Sequence, residues 1–204
     1  MLTALHHNGT RVFTPDEVSA IRKQIQDPRL RALFNVMLFT GMRFSEIKQL
    51  IEQPDRYRPD RQIIRIKSTK AAAKRKERTI YLNTLGARAL EEFLQDPYMV
   101  TLSTWKRDMQ QWATRAGLAQ LAQYEQTRMY AGSEKMIKYN PCGINVKSTR
   151  KTWEAWLIAV YSDKLEMVQA VQGHSDTTEL EHYMTIGFTR DEQKQIKEIV
   201  GDLL

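Results

Sequence analysis

Along most of this chain the apolar residues recur every three or four positions, the spacing that gathers them on one face of a helix. "TPDEVSAIRKQIQ" opens the first such stretch with a start signature: Thr14 at the N-cap, Pro15 at the first helical position, and Glu17 placed to complete a capping box. A second helix is expected over about 29–39, ending at Gly41, and a third from near Arg43 through "RFSEIKQLI". The period breaks at "QIIRIK" and "RTIYL", two β-branched runs that read as a hairpin with a long turn. From residue 84 helical spacing returns, over 84–95, 103–116 up to Gly117, and 118–129. "YAGSEKMIKYNPCGIN" reads as a loop, and helices follow near 147–161, 163–172, 176–186 and 190–203. The pattern predicts a mainly α protein with a small antiparallel β-sheet, an α+β domain without internal repeats.

A length of 204 residues supports one domain with a proper core. The longest apolar-rich stretch, "ALFNVMLFTGM", is interrupted by Asn35, Thr40 and Gly41 and is too short to cross a bilayer. The first residues lack the basic-then-apolar order of a signal peptide, so no membrane association is expected. The single cysteine, Cys142, rules out an internal disulfide and suits a reducing, cytoplasmic setting.

Charge changes the picture more than composition does. The net charge is +7, and "RIKSTKAAAKRKER", residues 65–78, holds seven Lys/Arg against one Glu. The other 190 residues carry 24 bases against 23 acids. A basic excess confined to one turn between two strands favours a polyanion partner, most simply nucleic acid.

Four candidate groups stand out for chemistry. Arg43 follows a glycine break near a helix start, and Arg150 lies in the first turn of another helix in "NVKSTRKTWEAWL". Either alone reads more readily as a surface arginine, but a guanidinium fork can also hold two phosphate oxygens at once. His174 follows a helix-ending Gly173, and no second His, Cys or carboxylate stands at metal-ligand spacing, so no metal is expected. Tyr183 shares a helical stripe with Leu180 and Met184, which alone would make it a core aromatic.

Taken together these segments resemble the tyrosine recombinases, the phage-integrase family. "TGMRFSEI" is similar to the family's first arginine box. "GHSDTTELEHY" is similar to its last, a Gly-His followed nine residues later by the nucleophilic tyrosine. "IIRIKSTKAAAKRKERTIYL" resembles the hairpin whose turn delivers a catalytic lysine. The order Arg43, Lys70, Arg150, His174, Tyr183 also agrees. One box departs from the pattern: where the family usually has His-x-x-Arg, this chain has Lys147-Ser-Thr-Arg150, a variant that resembles integrases of archaeal viruses and plasmids.

The resemblance implies a catalytic domain over 1–204, with a core at about 12–186 and a helical tail at 187–204. The family's N-terminal DNA-clamping domain is expected to be missing. It implies Tyr183 as nucleophile, Arg43, Arg150 and His174 on the scissile phosphate, and Lys70 as general acid, with Lys67 and Lys74 as alternates. Lys147 is expected to clamp a phosphate oxygen, since an ammonium titrating near 10 makes a poor base at neutral pH. Lys67, Lys74, Arg75, Lys76 and Arg78 would bind DNA. No cofactor is implied. The partner would be a double-stranded attachment site with inverted half-sites, bound by a homodimer or tetramer that is monomeric when free. Two other readings remain open: an impaired DNA-binding module, and DNA relaxation of the type IB topoisomerase kind. The tail could pack on its own domain or on a neighbour.

Overall fold

Phe13, Ile21, Leu33, Phe34, Leu38, Trp153 and Trp156 are all shielded from solvent and form the centre of the molecule. The structure, a computed structural model, describes residues 4–67, 77–118, 125–130, 133–138, 142–172, 180, 182–201 and 203. For 125–130, 133–138 and 182 the description is of the backbone alone.

The chain opens with a small hairpin, β1 (His6–His7) and β2 (Thr10–Arg11), whose turn residues Asn8 and Gly9 both have positive φ, 47° and 67°. Helices α1 (Pro15–Gln24), α2 (Pro28–Thr40) and α3 (Phe44–Glu52) follow. Next come β3 (Tyr57–Arg58), β4 (Ile63–Lys67) and β5 (Glu77–Tyr81), antiparallel in that order, then α4 (Thr84–Gln95) and α5 (Leu102–Arg115). A hairpin of β6 (Glu125–Tyr130) and β7 (Ser133–Lys138) precedes α6 (Ser148–Val160), α7 (Leu165–Gln172), a 3₁₀ turn at His182–Thr185 and a last helix, α8 (Arg190–Val200). The mainly helical α+β architecture expected from the sequence is the one observed.

Two helices are central. In α2 every residue from Ala32 to Thr40 is buried, and in α6 every residue from Ser148 to Ile158. Helix α2 packs on α4 and α6, and α6 also packs on α8. Trp156 Nε1 donates to the Phe13 carbonyl at 3.0 Å, and the Phe13 N–H donates to Thr152 Oγ1 at 2.9 Å. Arg11 N–H reaches the Gly143 carbonyl at 3.0 Å. These bonds fasten the N-terminal hairpin beside the start of α6.

The start signature of α1 is observed as read: Thr14 and Glu17 form a full capping box. Helix α2 stops at Gly41 in the left-handed region, φ 63°. A Cβ there would lie 2.6 Å from Gln172 Oε1 and 2.7 Å from Trp153 Cδ1. Gly41→Ala is therefore expected to lose roughly 1–3 kcal/mol from the backbone conformation alone, with the clash added. Urea unfolding, with its slope unchanged, is the measurement.

The β4–β5 hairpin pairs Lys67 with Glu77, and alternation turns Ile64, Ile66 and Ile80 into the core. Its turn, 68–76, lies outside the described residues.

Residues 125–130 and 133–138 differ from expectation: where the end of a helix over 118–129 and the loop after it were expected, they form β6 and β7, paired from Glu125↔Lys138 to Tyr130↔Ser133. Glu, Gln, Arg and Met favour helices and misled the period count. Among the described residues there are therefore three small sheets where one was expected.

Most of the helix expected over 176–186 lies outside the described residues, and 182–185 forms a 3₁₀ turn instead. The tail packs on its own domain: Ile196 and Val200 are buried, and Asn83 Nδ2 holds the carbonyls of Ile199 and Val200 at 2.8 and 2.7 Å. The Tyr161 hydroxyl donates to the Gly201 carbonyl at 2.8 Å and accepts from Leu203 N–H at 2.9 Å.

Candidate active site

Helix α3 begins just after its N-cap Arg43, whose backbone N–H and Nη1 both donate to Glu46, at 2.7 and 2.8 Å. Glu46 is fully buried. Its second oxygen also accepts from Arg78 Nη2 at 2.8 Å, and Arg78 Nη1 donates to the Val171 carbonyl. Burial alone would raise the Glu46 pKa, but Arg78, the Arg43 N–H and guanidinium, and Arg150 outweigh it and hold the carboxyl below 4.5, its ordinary value. Burial lowers Arg78 to about 10, against the pull of Glu46.

Arg78 thus corrects the sequence reading. It was expected on the DNA-binding turn, yet it is 9% exposed and faces inward as a structural partner of Glu46. It alternates with Ile80 on the core-facing side of β5, a pattern the count of basic residues hid.

Because the folded pKa of Glu46 is depressed, its stabilisation is present above 4.5 and is lost as pH falls through the folded value. Glu46→Gln is expected to cost roughly 3–5 kcal/mol at neutral pH, since two inward-facing guanidinium groups lose their counter-charge. It should also shed part of the acid sensitivity below pH 4.5, as read by urea titrations from pH 3 to 7.

Arg150, in the first turn of α6, is held by bonds to three elements. Nη1 donates to the Gly41 carbonyl at 2.7 Å, Nη2 to the Gln172 carbonyl at 2.6 Å, and Nε to Glu154 Oε1 at 2.8 Å. The helix-ending glycine of α2 and the end of α7 therefore aim this guanidinium. Glu154, one turn further along α6, is 1% exposed, and its Oε2 accepts the Tyr183 hydroxyl at 2.7 Å.

Tyr183 itself is 2% exposed, within the 3₁₀ turn. Its ring stacks on His7 of β1, with centroids 3.7 Å apart and planes 9° off parallel. Lys151 Nζ lies 5.6 Å from the ring centroid and contacts His7 Nδ1 at 2.5 Å. The Tyr183 ring is thus part of the buried core, while its hydroxyl is bonded to Glu154, the carboxylate that also holds Arg150.

A cavity of about 500 Å³ opens here, lined by Arg43, Lys147, Arg150, Lys151, Glu154 and the first residues of α3 among others. The two arginines, 107 positions apart in sequence, face one space. Lys147 is exposed at the N-cap of α6. Lys67 is exposed at the end of β4, where its backbone pairs with Gln49. His174, Lys70, Lys74, Arg75 and Lys76 lie outside the described residues. Among the described residues no three His, Cys, Asp or Glu side chains cluster as metal ligands would, and no helix is long and apolar enough to cross a membrane.

Sequence reasoning missed Glu46, Lys151, Glu154 and His7. Glu154 carried a signal, a lone acid one turn after Arg150 amid tryptophans. His7 carried one too: "HNGT" holds the Asn-Gly pair of a tight hairpin.

Residues 11–190 match the model of the phage integrase family. This chain belongs to that family. Comparison with curated proteins yields no match. Among solved structures, the XerA recombinase superposes with a TM-score of 0.59 at 17% identity, covering 92% of this chain and 64% of that one. The Tn1549 transposon integrase (residues 82–397) in complex with a circular intermediate DNA gives 0.60 at 13% identity, covering 93% and 66%. The XerH site-specific recombinase, in a post-cleavage complex with its palindromic difH substrate, gives 0.56 at 16% identity, covering 92% and 51%. The chain thus spans about half to two thirds of these proteins, and at such identities the likeness establishes the fold.

Proposed function

We propose that this chain is the catalytic part of a site-specific DNA recombinase that cleaves and rejoins strands through a 3′-phosphotyrosyl intermediate. The observation that carries the reading is the shared carboxylate: Glu154 grips Arg150 with one oxygen and the Tyr183 hydroxyl with the other, beside a cavity that Arg43 also lines. Nucleophile and phosphate fork are held in register by one side chain.

In this reading a DNA phosphate enters the cavity and its two non-bridging oxygens meet Arg43 and Arg150, which stabilise the charge that builds in the transition state. Lys147, exposed at the rim, clamps a phosphate oxygen. Tyr183 attacks phosphorus through its phenol oxygen. The 5′-oxygen departs with a proton supplied by Lys70 of the hairpin turn, and His174 adds a further phosphate contact. The ester keeps the energy of the broken bond, so a second DNA hydroxyl reverses the step without ATP. The partner is a duplex attachment site with inverted half-sites, bound by a dimer or tetramer in the cytoplasm of the host. The Lys147-x-x-Arg150 box fits a mobile element of an archaeal virus or plasmid.

The test is incubation of the protein with nicked duplex DNA in EDTA. A covalent, protease-sensitive protein–DNA adduct is expected. Tight DNA binding with no adduct would overturn the reading in favour of a binding module, and relaxation of supercoiled plasmid by a monomer without sequence preference would favour a topoisomerase.

A further inference from the structure

An acid one turn after an arginine on a helix is ordinarily just an ion pair. Glu154 differs in what its second oxygen does. The carboxylate is 1% exposed, with Oε1 on Arg150 Nε at 2.8 Å and Oε2 accepting the hydroxyl hydrogen of Tyr183 at 2.7 Å. It also lines the cavity into which the phosphate is proposed to enter.

We infer that Glu154 is the proton acceptor for Tyr183, a catalytic residue in contact with the reacting oxygen. This rests on the recombinase reading above. The Tyr183 O–H bond breaks, its electron pair forms the bond to phosphorus, and the proton passes to Glu154 Oε2. The phosphorus–O5′ bond breaks in the same step, and O5′ takes a proton from the hairpin lysine. On rejoining, protonated Glu154 returns its proton as the phenol oxygen leaves phosphorus. No outside reactant is consumed.

A free carboxylate titrates near 4 and a phenol near 10, so the transfer needs help. An arriving phosphate competes for the same arginine and so loosens the hold of Arg150 Nε on Glu154 Oε1. The opposing groups are Arg150 and Lys151 on the same helix, Lys147 one turn before Arg150, and Arg43 across the cavity. His7 stacks on the Tyr183 ring. The phenol hydrogen already points along the transfer path in the resting protein.

The experiment uses Glu154→Gln, which keeps the shape and loses the basicity. Its probe is a nicked duplex selected from a random-sequence pool by binding to the wild-type chain. At pH 7 the variant should form adduct at least 100-fold more slowly than wild type. Its rate should then climb about tenfold per pH unit toward pH 10, as the phenol ionises unaided. A rate within threefold of wild type, or a loss that keeps the wild-type pH profile, would overturn the proposal in favour of a purely structural pair.

A second readout does not depend on cleavage. With tyrosines carrying ¹³C at Cζ, and Tyr183→Phe for assignment, the Tyr183 titration midpoint should fall by at least one pH unit in Glu154→Gln, because a neighbouring anion is gone. Equal midpoints beside a normal wild-type adduct overturn the Glu154 proposal alone. No wild-type adduct overturns the DNA-cleavage reading and this proposal with it.

Discussion

Tyr183→Phe should form no detectable adduct with nicked DNA while binding that DNA as tightly as wild type. The substitution removes one oxygen and leaves the ring, so the stack on His7 at 3.7 Å survives. What is lost is the 2.7 Å bond to Glu154. A hydrogen bond to a charged group contributes about 1.5–3 kcal/mol, and Glu154 keeps its bond to Arg150, so the protein should stay folded with a melting temperature lower by several degrees. Activity behaves differently. Without a phenol oxygen there is nothing to join to phosphorus, and no neighbouring side chain can substitute in the same place. Electrophoresis after denaturation reads the adduct, and fluorescence anisotropy of labelled DNA reads binding. An adduct formed by the variant would move the nucleophile elsewhere.

This pairing of a small structural cost with a total chemical loss is what separates a nucleophile from a core aromatic. The stripe of Leu180, Tyr183 and Met184 could not separate them in sequence. In the structure Leu180 and Tyr183 are buried and Met184 is 56% exposed, so the stripe is incomplete, and the Tyr183 hydroxyl bonds to Glu154.

What the sequence revealed depended on how local each signal was. Caps and stops are written in adjacent residues: Thr14 with Glu17, and Gly41 after Thr40. The β4–β5 hairpin was legible because its strands are β-branched and alternate. Strands β6 and β7 are built largely from good helix formers, and their pairing is a property of two segments together, which a single-window period cannot see.

The site divides the same way. Arg43 and Arg150 were found from boxes of a few residues, but their supports come from far along the chain. Arg78 reaches Glu46 across 32 positions, Arg150 reaches the Gly41 carbonyl across 109, and Lys151 reaches His7 across 144. Charge counting even misplaced Arg78, because a run of seven basic residues reads as one surface when its last member in fact turns into the core. Partners set by tertiary contact carry no spacing rule, so only folding discloses them.

Arg150 is where fold and chemistry are hardest to separate, and its replacement should have the largest combined effect. Arg150→Ala strips donors from the Gly41 and Gln172 carbonyls and leaves Glu154, 1% exposed, without its cation. Removing one partner of a buried pair costs roughly 3–5 kcal/mol, enough to unfold a marginal domain. Arg150→Lys is the more informative variant. It keeps the positive charge for Glu154, so most of the stability should return. One ammonium cannot span the two carbonyls, the carboxylate and a phosphate oxygen together. Cleavage by Arg150→Lys should therefore stay about 10²–10³-fold below wild type, the loss expected when one preorganised donor to the transition state is removed. Melting curves and single-turnover adduct formation, run on both variants, separate the two contributions. Wild-type cleavage by Arg150→Lys would show that this guanidinium only braces the fold, and the phosphate would then have to be held by Arg43 and the lysines at the rim.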